Sequence, residues 1–326
     1  MLSEELYNEL VRCAVMAPSG HNTQPWLFSK KKNTIVISPD FRRALPAADP
    51  QNRELYISLG CAAETAMIAL RNRGFEAELK ICSTSGRTTL EIDLAKAESK
   101  TDSDLYAWIS ARQTARGTFA KDLLDRHVPE QLRDAIASSN VRLYFIQGKE
   151  AFELLSPYLA EANRVQTAGN AYRNELIQWM RFSRSEAIQK SDGLYTASSG
   201  LPTIGRTFGG WLIKQLITTA NEEKRQLKLL KNTPLFAIIA TKGDEPEQWV
   251  QTGLALQRIA LTATKLGVSH AYLNTPCQVE TVRKKLASTK LLQDSTPQVI
   301  MRLGYAKPMA RAFRRSAKEV MITLTD

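Results

Sequence analysis

The sequence predicts an α+β protein made of two halves of related plan, each a small sheet packed on helices. Three observations carry this. Two alanine-rich helical segments, each bounded by glycines, recur 193 residues apart, at 60–74 and 253–267. β-branched or apolar runs flank both of them. The composition, 43% hydrophobic, 24% charged and 7% aromatic over 326 residues, is that of a globular chain long enough for about two domains.

The repeated segments are rich in Ala, Leu, Ile and Met, the content of a nearly all-buried helix, and each closing glycine is a natural left-handed cap. Alanines at helical spacing permit close approach, so the two helices are expected to pack together across a pseudo-twofold axis. Ahead of the first lies the strand 34–38, and ahead of the second the apolar run 235–240. After the first come 76–83 and the strand 89–94. After the second come 268–273, a helix over 279–286 and the strand 298–303, closed by Gly304. The halves are drawn at 1–105 and 106–326. The second is longer because 151–231 inserts several helices, with a Gly-rich break over 199–210.

The first ten residues are acidic and helical, unlike a basic stretch leading into an apolar signal core, and no run approaches a membrane span. A cytoplasmic location with no membrane partner is expected. Four cysteines lie far apart without a CxxC pair and read as reduced core thiols, and three histidines without ligand spacing argue against a metal site.

A net charge of +11 favours anionic partners: a phosphorylated cofactor, an acidic substrate or nucleic acid. The surplus concentrates in 161–231, with eleven Lys/Arg against six Asp/Glu, and in 302–326, with six against two. Most of these side chains belong to a solvated basic surface. The compact set Arg311, Arg314 and Arg315 is a better phosphate candidate, because guanidinium forks match phosphate oxygens. No nucleic-acid fold motif or basic-aromatic stripe accompanies the charge, so no nucleic-acid partner is expected. Neither a GxGxxG after a strand nor a P-loop is present.

The most informative stretch is 16–28. Pro18, Gly20 and Pro25 stop a helix, while Ser19, Asn22, Thr23 and Gln24 supply neutral donors and acceptors on a constrained backbone, which suits a polar, planar heterocycle. The second stretch, 109–119, holds Arg112, Gln113, Thr114 and Arg116, two guanidiniums and a hydroxyl able to converge on one phosphate. By itself such a segment also reads as a solvated helix entrance.

On these residues the chain resembles the FMN-dependent nitroreductase family. Pro18, Ser19, Asn22, Gln24, Pro25 and Trp26 match its flavin loop, Pro-Ser-x-x-Asn-x-Gln-Pro-Trp, and Arg112, Thr114 and Arg116 look like its phosphate-binding Arg-x-Ser/Thr-x-Arg segment. In the family that segment opens the fold, whereas the first sixteen residues here carry only Arg12. The first half thus has the loop without the arginines. The second has the arginines, but reads Ala-Ser-Ser-Asn-Val-Arg-Leu-Tyr-Phe at 137–145 in place of the loop. This resemblance implies a nitroreductase-like fold of two tandem degenerate repeats, an intramolecular pseudo-dimer of the Acg-like branch, with one complete FMN site between the halves. It also implies cofactor contacts from Gly20, Asn274 and Thr275 near the ring and from Arg311, Arg314 and Arg315 at the phosphate. Arg42, Arg43, Asp49 and Pro50 extend the likeness.

The activity implied is hydride transfer from NAD(P)H through FMN to a nitroaromatic, quinone or similar small acceptor. The flavin carries the chemistry; His21 reads first as a structural hydrogen-bonding group, with proton donor as the alternative. One chain suffices for one site, and a homodimer is compatible with it. The alternative is a flavin-binding or flavin-sequestering protein whose insert closes as a lid, with Trp179, Tyr195, Phe208 and Trp211 as the aromatic cover. A helical surface excursion is the plainer reading of the same insert.

Overall fold

A computed structural model describes residues 2–84, 86–96, 103–136, 138 and 140–323. The chain opens with helix α1 (Glu4–Ala14), which the Ser3 hydroxyl caps by accepting from Leu6 N–H. A 3-10 turn over Gly20–Asn22 leads into strands β1 (Trp26–Lys31) and β2 (Thr34–Pro39), then the long helix α2 (Arg53–Asn72) and strands β3 (Phe75–Thr84) and β4 (Arg87–Lys96). Short helices α3 (Ser103–Tyr106) and α4 (Val128–Asp134) precede β5 (Val141–Ile146). Of the segment read as the second half's degenerate loop, Ala137 and Ser139 lie outside the described residues, and from Val141 it is strand.

Next come α5 (Gly148–Thr167), α6 (Asn170–Trp179), β6 (Met180–Arg181), α7 (Arg184–Lys190), β7 (Leu194–Tyr195), α8 (Arg206–Leu216) and α9 (Thr219–Lys231). The chain closes with β8 (Leu235–Thr241), α10 (Pro246–Lys265), β9 (Ser269–Tyr272), α11 (Thr275–Gln278), α12 (Glu280–Ala287), β10 (Thr296–Gly304) and α13 (Ala317–Val320).

Two four-stranded antiparallel sheets result, in the orders β1-β2-β4-β3 and β5-β8-β10-β9. Each follows the same path: an outer strand, its neighbour, a long helix, then the far edge and the strand between. The expected strands and both central helices fall where the sequence put them.

The two long helices lie against each other with glycine on glycine. A Cβ on Gly60 would stand 2.2 Å from the Val250 carbonyl oxygen, and one on Gly253 would stand 2.1 Å from that of Ile57. No side chain fits there, so the backbones touch. The helices end at Gly74 and Gly267, with φ of +78° and +70°, a conformation that a Cβ penalises. At the other end of α2 the Asp49 carboxylate accepts from Leu55 N–H at 2.9 Å.

The inserted region divides into two parts of different character. Ala151, Leu155 and Leu159 of α5 and Leu229 and Leu230 of α9 pack with Phe236, Ile238 and Ile300, covering the outer face of the second sheet. These helices therefore belong to the second half's core, and only 168–218 projects from it. The Gly-rich break is also shorter than the sequence suggests. Gly209 and Gly210 lie inside α8, and a Cβ on Gly209 would stand 2.4 Å from Phe182 Cδ1. That glycine permits close packing and is no hinge. The stretch without regular structure is 201–205.

Candidate active site

A cavity of about 640 Å³, within the usual range for small-molecule sites, is lined by residues from Met16 through Arg314. Its walls come from 16–22, the first two turns of α2, 112–118, the inserted region, β9 with α11, and the tail at 311–314. Pro18, Ser19, Gly20, His21, Asn22, Arg112, Gln113, Thr114, Arg116, Asn274, Thr275, Arg311 and Arg314 all line it. Gln24 and Arg315 lie outside this lining.

Their work is structural. His21, Asn22 and Gln24 all have positive φ, 47°, 55° and 54°, an unfavourable backbone that must be held by its surroundings. Gln24 does part of the holding: its Oε1 accepts from Arg315 N–H and its Nε2 donates to the Ser191 carbonyl, each at 2.8 Å. Asn22 Nδ2 donates to the carbonyls of Gly193 at 3.0 Å and Phe313 at 3.1 Å, while Oδ1 accepts from Arg314 Nη1 at 2.8 Å. The motif's two amides thus fasten the loop to the insert and the tail. Asn22 borders the cavity, but its polar atoms are already engaged.

Against the loop stands a cluster of cations. Arg112 is buried; its Nη2 donates to the Met16 carbonyl at 3.0 Å, and its Nε and Nη1 have no partner. Arg116 donates to Ser198 Oγ at 3.3 Å, Arg311 to the carbonyls of Ser110 and Ala111, and Arg314 to Asn22 and the Phe313 carbonyl. Among the described residues none of the four pairs with a carboxylate. Burial, and then the charges of Arg112, Arg116 and Arg311, lower Arg314 to about 9. Burial likewise lowers Arg112 and Arg116. Desolvated like charges held together are costly unless an anion joins them. Gln113 donates to the carbonyls of Met309 and Ala310, both at 3.0 Å, and so holds the tail against this wall.

Burial pushes His21 down to about 4, with Glu54 opposing and Arg116 assisting the shift. The imidazole is neutral at physiological pH, so its role as proton donor shrinks to that of a hydrogen-bonding N–H; its buried Nδ1 has no partner. Asn274 Nδ2 donates to Glu54 Oε1 at 2.5 Å and its Oδ1 accepts from Ile300 N–H at 3.1 Å, while Thr275 Oγ1 accepts from Gln226 Nε2 at 3.0 Å. These side chains are committed to the frame. What they leave for a ligand is backbone N–H at the start of α11, where no preceding turn supplies an acceptor.

Sequence reasoning missed Glu54 and Tyr172. Glu54 sits in the first turn of α2, where an acidic residue reads as an ordinary helix start. Tyr172 supplies the insert's aromatic lining, edge-on to His21 with ring centres 6.5 Å apart. The four aromatics expected to cover the site line no part of it. Trp179 lies under Arg43 and Arg181, Tyr195 packs on Phe313, and Phe208 and Trp211 stack on each other at 57–59% exposure on the outer face of α8.

The insert is nonetheless tied to the site and is no loose excursion. Glu175 accepts from the N–H groups of Ala47 and Ala48, both at 2.9 Å, and Asp192 pairs with Arg43 and with the buried Arg181. Thirteen further cavity-lining residues besides Tyr172 fall between 176 and 229.

The fold therefore sets two four-stranded sheets beside a cavity lined by several guanidiniums. No family model matches the chain. Over 318 residues, 95% of this chain and 92% of the relative, it is 26% identical to Acg of Mycobacterium tuberculosis, provisionally named an NAD(P)H nitroreductase. Over 343 residues, 99% and 94% of the two chains, it is 23% identical to PigM of a Serratia species, which carries a similar name. The chain therefore resembles nitroreductase-type oxidoreductases over its whole length. Among solved structures, it aligns with an FMN-bound nitroreductase from Desulfitobacterium hafniense at 14% identity and a TM-score of 0.39, over 68% of this chain and 98% of that one.

Proposed function

We propose that the chain is an FMN-dependent NAD(P)H oxidoreductase of nitroreductase type, holding one flavin between the halves of a fused pseudo-dimer. The observation that carries this reading is the cluster of Arg112, Arg116, Arg311 and Arg314, four guanidiniums with no carboxylate partner among the described residues, in a cavity that the Pro18–Asn22 loop also lines. That donor set fits a phosphate monoester, and the loop with its neutral groups fits a planar heterocycle.

Arg112, Thr114, Arg116, Arg311 and Arg314 would hold the phosphate end. Ser19, Gly20 and the N–H groups of Asn274 and Thr275 would border the ring, with Asn22, Gln24, Gln113 and Arg315 fixing the elements that carry those contacts. When bound, the flavin supplies the hydride chemistry between NAD(P)H and a nitroaromatic, quinone or similar acceptor. The protein orients the ring and excludes water, and His21 offers a neutral N–H. The matched strand orders and the glycine-on-glycine crossing of α2 and α10 support the pseudo-dimer. One chain contributes every wall of the cavity, so a monomer suffices. No described helix is long and apolar enough to cross a membrane, and we place the protein in the cytoplasm.

A second reading is favoured by the bonds that join the insert to the loop at Gly193 and Ser191 and to Ala47 at Glu175: a flavin-sequestering protein in which the inserted region stays shut. The absorption spectrum of the purified, FMN-loaded protein followed by anaerobic NADPH separates the two. A bound flavin that bleaches within seconds supports the enzyme. One that stays oxidised supports sequestration, and a protein that retains no flavin refutes both.

A further inference from the structure

The cavity has a second cationic pole that the flavin phosphate does not require. Arg302, on β10, is almost wholly buried at 1% exposure. Its Nη2 donates to the Gly117 carbonyl at 2.7 Å, its guanidinium stands 4.6 Å over the Phe119 ring, and its Nε is buried without a partner. The seat is built for this side chain. A Cβ on Gly304 would stand 2.6 Å from Phe119 Cδ2, so the glycine is what lets the ring lie beneath Arg302. Facing it from the insert is Arg225 on α9, whose Nε and Nη2 are taken by Glu222 at 3.0 and 2.7 Å, while Nη1 has no hydrogen bond among the described residues. Lys228, one turn further, also lines the cavity.

We propose that Arg302 and Arg225 form an oxyanion subsite, which takes the carboxylate or phosphate of the molecule that exchanges electrons with the flavin. The proposal rests on the flavin reading above and names the chemistry of the partner substrate. Arg302 is anchored on the Gly117 carbonyl and the Phe119 ring, whereas Arg112, Arg311 and Arg314 are anchored on the carbonyls of Met16, Ser110, Ala111 and Phe313. Burial, and after it the charge of Arg225, lowers Arg302 to about 10. The charges acting on Arg314 are instead those of Arg112, Arg116 and Arg311. Glu222 offsets only one of three cations here. A guanidinium held in place by a carbonyl and an aromatic face, with an N–H left over, is preorganised for an oxyanion and costs the empty protein its desolvation. Tyr172 lines the same cavity, so its ring offers an aromatic acid a flat surface there.

Calorimetric titration of FMN-loaded protein with benzoate and with benzamide tests this directly. Benzoate should bind at least about tenfold more tightly, and Arg302→Met or Arg225→Gln should erase that preference while leaving benzamide and FMN affinity unchanged. A parallel comparison of NADPH with NADH distinguishes the source of the anion: a preference for NADPH lost in both variants assigns the subsite to the donor's extra phosphate instead of an acceptor's carboxylate. Equal binding within both pairs of ligands by the unmutated protein overturns the proposal, as does a preference that survives both substitutions. Should Arg302→Met fail to fold, Arg225→Gln, on the exposed side of a helix, carries the same test. Should the protein hold no flavin, the benzoate titration still applies to the flavin-free chain. There, loss of benzoate binding in Arg112→Met but not in Arg225→Gln would overturn the proposal independently of the flavin reading.

Discussion

Replacing Arg112 by methionine should move stability and affinity in opposite directions. Among the described residues two of its guanidinium nitrogens are buried without partners, and only the bond to the Met16 carbonyl is made. Leaving buried donors unsatisfied costs about 1–3 kcal/mol, and the one bond returns about 1 kcal/mol. An apolar side chain of similar length therefore stabilises the flavin-free protein by about 0–2 kcal/mol, a rise of up to about 3 °C in Tm at this chain length. With a phosphate present, the same nitrogens would make charge-assisted hydrogen bonds worth about 1.5–3 kcal/mol, so FMN affinity should fall by about 10- to 150-fold. Thermal melts without flavin and fluorescence titration with FMN read the two effects separately. Arg12→Ala, on the exposed face of α1, is the control and should change neither. A flavin-free Tm lowered by several degrees together with an unchanged Kd would show that Arg112 is a structural cation and would remove it from the phosphate site.

Three further outcomes are expected. Gly60→Ala should destabilise the protein by about 1–3 kcal/mol or more, because its Cβ meets backbone of α10 that cannot turn aside; a melt unchanged within 1 °C would mean that the helix crossing is looser than described. In α8, Gly210→Ala should stabilise by about 0.5–1 kcal/mol, its Cβ finding only Ile177 Cγ2 at 3.7 Å, whereas Gly209→Ala should destabilise because Phe182 occupies the space; equal effects would favour the hinge reading of these glycines. Burial lowers His21 to about 4 and His270 to about 3 from 6.5, so below 6.5 the unfolded chain binds protons that the folded chain does not. Stability should then fall with pH across that window by up to about 1.4 kcal/mol per unit for each group. Asp49, pushed up to about 6 by burial and by Glu54, acts in the opposite sense between its ordinary value of 3.8 and 6. His270→Phe should flatten the slope of Tm against pH between 6.5 and 4, and an unchanged slope would mean that this imidazole is protonated in the fold.

Much of the architecture was legible because it rests on local rules. The helices ending at Gly74 and Gly267, and the strands beginning at Thr34 and Leu235, are set by cap chemistry and β-branched runs that a sequence displays directly. The motif residues were equally visible, and thirteen of them, His21 included, meet at one cavity. Their individual duties were not. Nothing in the pattern Asn-Thr-Gln-Pro says that the amides of Asn22 and Gln24 are spent on Gly193, Phe313, Ser191 and Arg315, partners about 170 to 290 residues away. The insert misled for a similar reason. Glycines at 209 and 210 look like a break until Phe182 is seen against them, and once that face turns inward, Phe208 and Trp211 must point to solvent. Tyr172 and Glu54 carry no local signature, because their place in the site depends on how α6 and α2 are docked.

The central claim, one flavin per chain held by the arginines of the second half against the loop of the first, is tested most directly by stoichiometry. Protein reconstituted with excess FMN and freed of unbound flavin is denatured, and the released FMN is measured against protein concentration. The expected result is one FMN per chain, falling sharply in Arg112→Met. Two flavins per chain would mean that the segment beginning near 137 retains a working site, and none would mean that the cationic wall serves a different anion.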